Sequence, residues 1–342
     1  MSRARIAVAA SLLAAALACA PAVADPVADF YRGRSVTMIV PADATGGEAQ
    51  YALLVARFLR DHLPGRPAIV PQYLPGAAGA RGAGYFSTVA PQDGSVFAAI
   101  APTGPLYQRL LGPAKSGFRL DFAQARWLGR VVTTESVLMG RAQSGLRSIA
   151  DLQRLGAIAC APAAADAGAL DARALAAATG AAIRVVNGYP GTRSMVLAFA
   201  RGECSLLSLP WTSWRLNAAA LIVEGGALSL AQVAAARAAM LPALPTVAEL
   251  APPALRPAIA LLGSYAAIGR AYALAPGVPD ARAAALRRAF EAALADPAMA
   301  ADAKARGMDF APAPGGVVRK YVMDTLTAPA DVVAKARAIL GL

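Results

Sequence analysis

The sequence predicts an α/β fold of two lobes with a cleft between them. Three observations lead there. Short β-branched runs alternate with helical patterns, the mark of parallel strands covered by helices. The alternation falls into two blocks, one before about residue 130 and one between about 140 and 240. The last hundred residues read as helices with too few strands for a sheet of their own, so they are expected to pack back onto the first block. The expected division is 25–133 and 244–342 in lobe 1 and 134–243 in lobe 2, with 1–24 a removable leader. A chain of 342 residues, 57% hydrophobic and 16% charged, suits such globular lobes and excludes a disordered polymer.

Taken in order, residues 1–24 read as a secretory signal. Arg3 and Arg5 form its basic start, "IAVAASLLAAALA" its apolar centre, and Ala22-Val23-Ala24 offers small residues for cleavage after about Ala24. The apolar stretch is short for a bilayer span, and no stop-transfer pattern follows. Lipoprotein processing at Cys19 fits less well, because the leucine before it sits one place too late. The strand runs are "SVTMIV" (35–40), "AIVPQYL" (68–74), "SVFAAIA" (95–101), "SVLMGRA" (136–142), "AIACAP" (157–162), "IRVVNGY" (183–189) and "CSLLSLP" (204–210). Between them, Tyr51, Leu54, Val55, Phe58, Leu59 and Leu63 share one helix face, and Met195, Leu197, Ala198 and Phe199 give a second such segment, ended by Gly202. "LPGRP" (63–67) ends the first helix. Near the C-terminus a helix starts at Pro279-Asp280 and stops at Gly307, with Leu286, Phe290 and Leu294 as its apolar seam.

The formal charge is +12, of which the leader carries Arg3 and Arg5. The basic residues are scattered singly, without a Lys/Arg block or interleaved aromatics, which argues against nucleic acid as a partner. The single histidine, His62, sits at a helix end and reads as structural or exposed. With Cys160 and Cys204 it makes no ordinary zinc spacing, so no metal site is expected. A Ser-His-Asp set, a Gly-x-Ser-x-Gly elbow and a phosphate-binding GxxxxGK[ST] are all missing from the sequence. "GAAGARGAG" has spaced glycines but lacks the acidic ribose partner of a dinucleotide fold, so no cofactor is expected.

What remains are glycine-rich strand-to-helix turns: "ATGG" before the first helix, "PGAAGA" before the second, and "GYPGT" (188–192) before a helix near Arg193. Free amides at such N-termini, with the helix dipole behind them, favour a carboxylate or phosphate. Glycine also simply permits tight turns. Three such turns at strand ends point to one anion-binding cleft.

Three segments closely resemble the tripartite tricarboxylate transporter substrate-binding proteins, the Bug-type solute receptors. They are "FYRGRSVTMIVPADATGG", "HLPGRPAIVPQYLPGAAGARGAGYFSTVAPQDGS" and "VVNGYPGTRSMVLAFARGECSLLSLPW". "LPALPTVAEL" and "LAPGVP" also fit, and the resemblance covers nearly all of the mature chain. It implies a type II periplasmic binding protein-like fold whose two α/β lobes close on an organic acid. It also implies a periplasmic monomer without enzyme activity, whose closed form is recognised by membrane transporter subunits or a sensor. Carried over by position, the first binding loop is Ala42, Asp43, Ala44, Thr45, Gly46 and Gly47. Gly76 and Thr103 follow other first-lobe strands. The segment 161–168, with Ala163 and Asp166, and the turn 188–192, with Tyr189, Gly191 and Thr192, form the second wall, which Trp211 finishes. The implied topology also sets Cys160 and Cys204 at the ends of second-lobe strands, where a disulfide is open to them if their Cα atoms come within about 7 Å.

The sequence departs from the family pattern. Glu48 and Ala49 stand where an aromatic and an aspartate are frequent, Leu53 stands for a frequent arginine, and alanines fill 161–168. Glu48 either opposes a ligand carboxylate from inside the cleft or stabilises the helix start from outside. The departures leave room for a second reading, a degenerate receptor acting as a sensor or interaction protein. An enzyme on the same scaffold would have to draw its acid–base pair from Asp43, Glu48 and Asp166.

Overall fold

The computed structural model describes residues 25–342, so the predicted signal, with its cleavage point, lies outside the described residues. The chain folds into two sheets with helices around them. The first sheet begins with β1 (Ser35–Val40), flanked in parallel by β2 (Ala68–Tyr73) and β3 (Val96–Ala99). Val36, Met38, Ile39 and Val40 are all buried, as a strand covered on both faces requires. Helix α1 (Pro26–Tyr31) precedes it, capped by Asp25, whose carboxylate accepts from the Val27 amide. Helix α2 (Gly47–His62) follows β1 and buries Tyr51, Leu54, Val55 and Leu59, the face its periodicity predicts. His62 at its end meets Asp296, with Nε2 3.2 Å from Oδ2. Helices α3 (Ala80–Thr88) and α4 (Gly104–Leu111) follow β2 and β3, and β4 (Arg126–Arg130) completes the first run.

The second sheet holds β5 (Ser136–Arg141), β6 (Ala157–Ala161), β7 (Ile183–Asn187), β8 (Leu206–Pro210) and β9 (Ala227–Val233) in the order β7-β6-β8-β5-β9. Its helices are α5 (Ile149–Leu155), α6 (Ala167–Thr179), α7 (Thr192–Arg201), α8 (Trp211–Asn217) and α9 (Ala219–Val223). Along β5 the side chains alternate: Leu138 joins the core shared with the first sheet, while Val137 and Met139 join a second cluster around Trp214 and Phe199. The Phe199 and Trp214 rings meet edge to face with centroids 5.7 Å apart, and burying a side chain of this size contributes roughly 3 kcal/mol. Cys160 and Cys204 are joined by a disulfide inside this cluster, with Cα atoms 5.9 Å apart.

The chain then passes α10 (Val247–Leu250), α11 (Arg256–Leu262) and α12 (Tyr265–Ile268) and re-enters the first sheet as β10 (Ala271–Leu274). Helices α13 (Asp280–Ala295) and α14 (Pro297–Ala305), the short β11 (Ala313–Pro314), α15 (Gly315–Leu326) and α16 (Ala330–Leu340) finish it. The first sheet reads β11-β4-β10-β3-β1-β2.

Four expectations are corrected. The sheets are mixed, not parallel: β10 is antiparallel to β3 and β4, and β5 to β8 and β9. The strand that the chain enters on arriving from the other sheet is reversed in each case, β5 after β4 and β10 after β9, and in the first sheet the short β11 is antiparallel to β4 as well. The helix expected over 279–307 is two helices, because Pro297 has no amide to donate and Asp296 caps the new start through the Ala298 amide. Leu197, placed on a buried face, is 49% exposed, since α7 turns only Met195, Ala198 and Phe199 inward. The C-terminal stretch does not pack on the first sheet alone: α10, α11 and α16 lie against α6, because their apolar residues Val247, Ile259 and Leu340 join the core that continues beneath it.

Candidate functional site

Strand β1 ends at Val40, and the chain turns through 41–46 into α2. Asp43 shapes this turn. Its Oδ1 accepts from the Thr45 amide (2.7 Å), the Thr45 hydroxyl (2.6 Å) and the Gly46 amide (3.0 Å). Two amides of the turn, those of Thr45 and Gly46, are therefore taken by the chain's own carboxylate, while no side chain caps the start of α2 at Gly47. Burial alone would raise the Asp43 carboxyl. The Thr45 hydroxyl and the Thr45 and Gly46 amides outweigh it and hold the group below the usual carboxylate range.

From the second lobe, Gly191 meets this carboxylate. A Cβ added at Gly191 would lie 2.7 Å from Asp43 Oδ2. The Gly191 backbone is extended, so glycine is needed there for room and not for conformation. The turns 41–47 and 188–192 thus touch across the gap between the two sheets. Ser194 Oγ accepts from the Gly191 amide (3.2 Å) and donates to the Gly191 carbonyl (2.7 Å), while Thr192 opens α7 with its amide beyond the reach of the helix ladder.

The other predicted turns pack around this contact. Gly79, at φ 92, lies so close to the first loop that an added Cβ would come 2.6 Å from Ala101 Cβ and 3.3 Å from Pro41 Cβ. Gly76, three residues earlier, faces the Arg81 side chain. Thr103 is buried at the start of α4, and one turn on the Tyr107 hydroxyl donates to the Ala164 carbonyl (3.2 Å), a second contact between the lobes. In the segment 161–168 the Ala163 carbonyl accepts from the Asp166 amide, and Asp166 caps α6 by accepting from the Gly168 amide (2.9 Å). Burial raises the Asp166 carboxyl, and the Gly168 and Ala167 amides offset this only in part. The Gly188 and Tyr189 amides donate to Pro162 and Ala161, which ties the two second-lobe loops together. Trp211 donates its amide to Glu135 in the crossing segment (2.9 Å). Ala42 packs partly on the core, and Ala44 is exposed.

Of the two positions open to Glu48, the structure shows neither a free inward charge nor an outer cap: Glu48 is paired with Arg270. The Arg270 side chain is 8% exposed and that of Glu48 18%. The guanidinium also lies 4.7 Å from the centroid of the Tyr51 ring. Gly47 is wedged beside them, since an added Cβ would lie 3.0 Å from Arg270 Nη2 and 3.3 Å from Ser213 Oγ. Close by, the Thr212 hydroxyl and Arg215 of α8 bind the Asp309 carboxylate, and the Tyr51 hydroxyl donates to the Asp309 carbonyl (2.6 Å).

Sequence reading missed Tyr107, Ser213, Arg270 and Asp309. Ser213 lies three residues after the end of β8, in "PWTSW", and that signal was available. Arg270 lies 222 residues from Glu48, and nothing local connects them.

No protein-family model matches the chain, and neither does any curated protein. Solved structures do match. The periplasmic binding protein BugD superposes with a TM-score of 0.68 at 20% identity, over 91% of this chain and 99% of that one. An R. palustris protein solved with adipate gives 0.68 at 21%, over 90% and 98%. A TctC solute binding protein from Polaromonas gives 0.60 at 17%, over 91% and 99%. Both solute receptors are of the kind that the sequence resembles, and the chain has their fold, that of the periplasmic binding proteins.

Proposed function

We propose that this chain is a non-enzymatic periplasmic receptor that captures a small organic acid between its two lobes and presents it to the membrane subunits of a tripartite tricarboxylate-type transporter. One observation carries the reading: a strand-to-helix turn from each sheet, 41–47 and 188–192, meets the other at a single point, Asp43 against Gly191. Ligands of open α/β sheets sit at such strand ends. Contacts from both turns to one ligand would favour the closed arrangement over the open one, which is a population shift. The R. palustris protein solved with adipate supports an acid as the ligand class, and among the described residues no helix is long and apolar enough to cross a membrane. Lobe 1 is then the first sheet with its helices, and lobe 2 the second. Titration calorimetry against mono-, di- and tricarboxylates tests the reading. Saturable heat from at least one acid is expected, and silence from all of them with folded protein defeats it.

A second reading has its own observation. Asp43 already takes the Thr45 and Gly46 amides of the first turn, as a degenerate receptor acting as a sensor or interaction protein would. A small molecule retained by the purified protein and detected by mass spectrometry counts against it.

A further inference from the structure

We propose that Asp43 sets the charge of the acceptable ligand: the cleft takes an acid with one carboxylate whose far end is uncharged or cationic, and it turns dicarboxylates away. The inference rests on the carboxylate-receptor reading and deepens it. All three local bonds to Asp43 go to Oδ1, while Oδ2 is turned to Gly191 on the opposite wall. The protein thus places its own negative oxygen where the two turns meet. The other carboxylates around the cleft are compensated differently. Glu48 is paired with Arg270, and Asp166 is turned to the amides of α6. Among the described residues no Lys or Arg forms an ion pair with Asp43.

A diacid that spans the gap needs a seat for a carboxylate at each end. At this junction its second carboxylate would come within contact distance of Asp43, and like charges in a partly dry cleft repel strongly. Rotating Asp43 away does not relieve this, because the rotation gives up three hydrogen bonds and leaves the Thr45 and Gly46 amides unpaired. A methyl group at the same place loses nothing to charge, and an ammonium gains a partner.

Three acids of one chain length separate these cases: hexanoate, adipate and 6-aminohexanoate end in a neutral, a negative and a positive group. The same triplets at four and eight carbons cover ligand size. Calorimetry on the wild-type protein is expected to rank each diacid at least about tenfold weaker than its neutral or amino partner. Asp43→Asn keeps the acceptor oxygen of the turn and removes the charge. It is expected to bring the diacid to within about threefold of the neutral acid and to weaken the amino acid. A wild-type protein that binds diacids as tightly as the neutral acids overturns the inference, even if the variant does not fold. Unchanged ratios in folded Asp43→Asn overturn it as well. In both results acids still bind, so the receptor reading stands. Silence from every acid in both proteins overturns that reading itself, and this inference with it.

Discussion

The two strand-to-helix junctions, β1 into α2 and β6 into α6, treat their carboxylates in opposite ways. In the first, Asp43 is surrounded by donors, held below the ordinary carboxylate range and kept charged, and Glu48 has a guanidinium beside it. In the second, Asp166 and Asp171 sit at the start of α6. Asp171 accepts from the Ser208 and Tyr265 hydroxyls at 2.6 Å each, and the Tyr265 hydroxyl lies 3.1 Å from Ser136 Oγ. Burial pushes Asp171 up to about 7; the hydroxyls restrain the rise, and nearby Asp166 adds to it. Both regions begin as a strand turning into a helix. Partner chemistry, and not backbone shape, decides which junction carries charge.

The largest expected effect tests the second junction. Asp171 keeps its proton in the folded chain up to about pH 7, whereas the unfolded chain loses it near pH 4. The group's contribution to stability is therefore complete below about pH 4 and is lost as pH rises to about 7, by up to about 4 kcal/mol. Chemical denaturation between pH 4 and 8 should show this decline, and Asp171→Asn should flatten it. A wild-type profile that rises over the same interval would contradict the contrast between the junctions. Next in size is Arg270→Ala, which leaves Glu48 half-buried and unpaired and strips a cation from the Tyr51 ring; a loss of about 3 kcal/mol in urea melts is expected. A loss under about 1 kcal/mol would mean that solvent already compensates the pair.

The contact between the two turns is tested by a double-mutant cycle. Gly191→Ala places a methyl group against Asp43 Oδ2. In the wild-type background it should weaken ligand binding about tenfold, and in the Asp43→Ala background by much less, a coupling of about 1–2 kcal/mol. Additive effects would show that the two turns do not meet. The smallest effect belongs to Asp43 alone. Its depressed carboxyl contributes stability above about pH 4 that is lost as pH falls further, the reverse of Asp171. Asp43→Asn should cost about 1 kcal/mol at pH 7 and nothing measurable near pH 2.

Much of this was legible from sequence, for identifiable reasons. Strand β1, "SVTMIV", is rich in β-branched residues, and β5 holds the apolar run Val137–Met139, so they stand out. The strands β4, "RWLGR", and β10, "AYAL", are short and rich in arginine or alanine, and they are strands only because neighbours distant in sequence pair with them. Their direction depends on where the chain re-enters each sheet, which no local pattern carries. The turns at 41–47 and 188–192 were readable from their glycines. That Asp43 would take the Thr45 and Gly46 amides itself was not, since a carboxylate chooses among several donors only once the backbone is set. The same holds for Tyr107 and Asp309, whose partners come from other elements.

The Cys160–Cys204 bond has a consequence for the order in which the molecule is finished. Its ends lie 44 positions apart in sequence, and between them lie α6, β7 and all of α7, with the segments 161–168 and 188–192. This segment is therefore a covalently closed ring, which can be sealed only where the two thiols are oxidised. Once it is sealed, the segments 161–168 and 188–192 stay tethered to each other even in a chain that has otherwise unfolded.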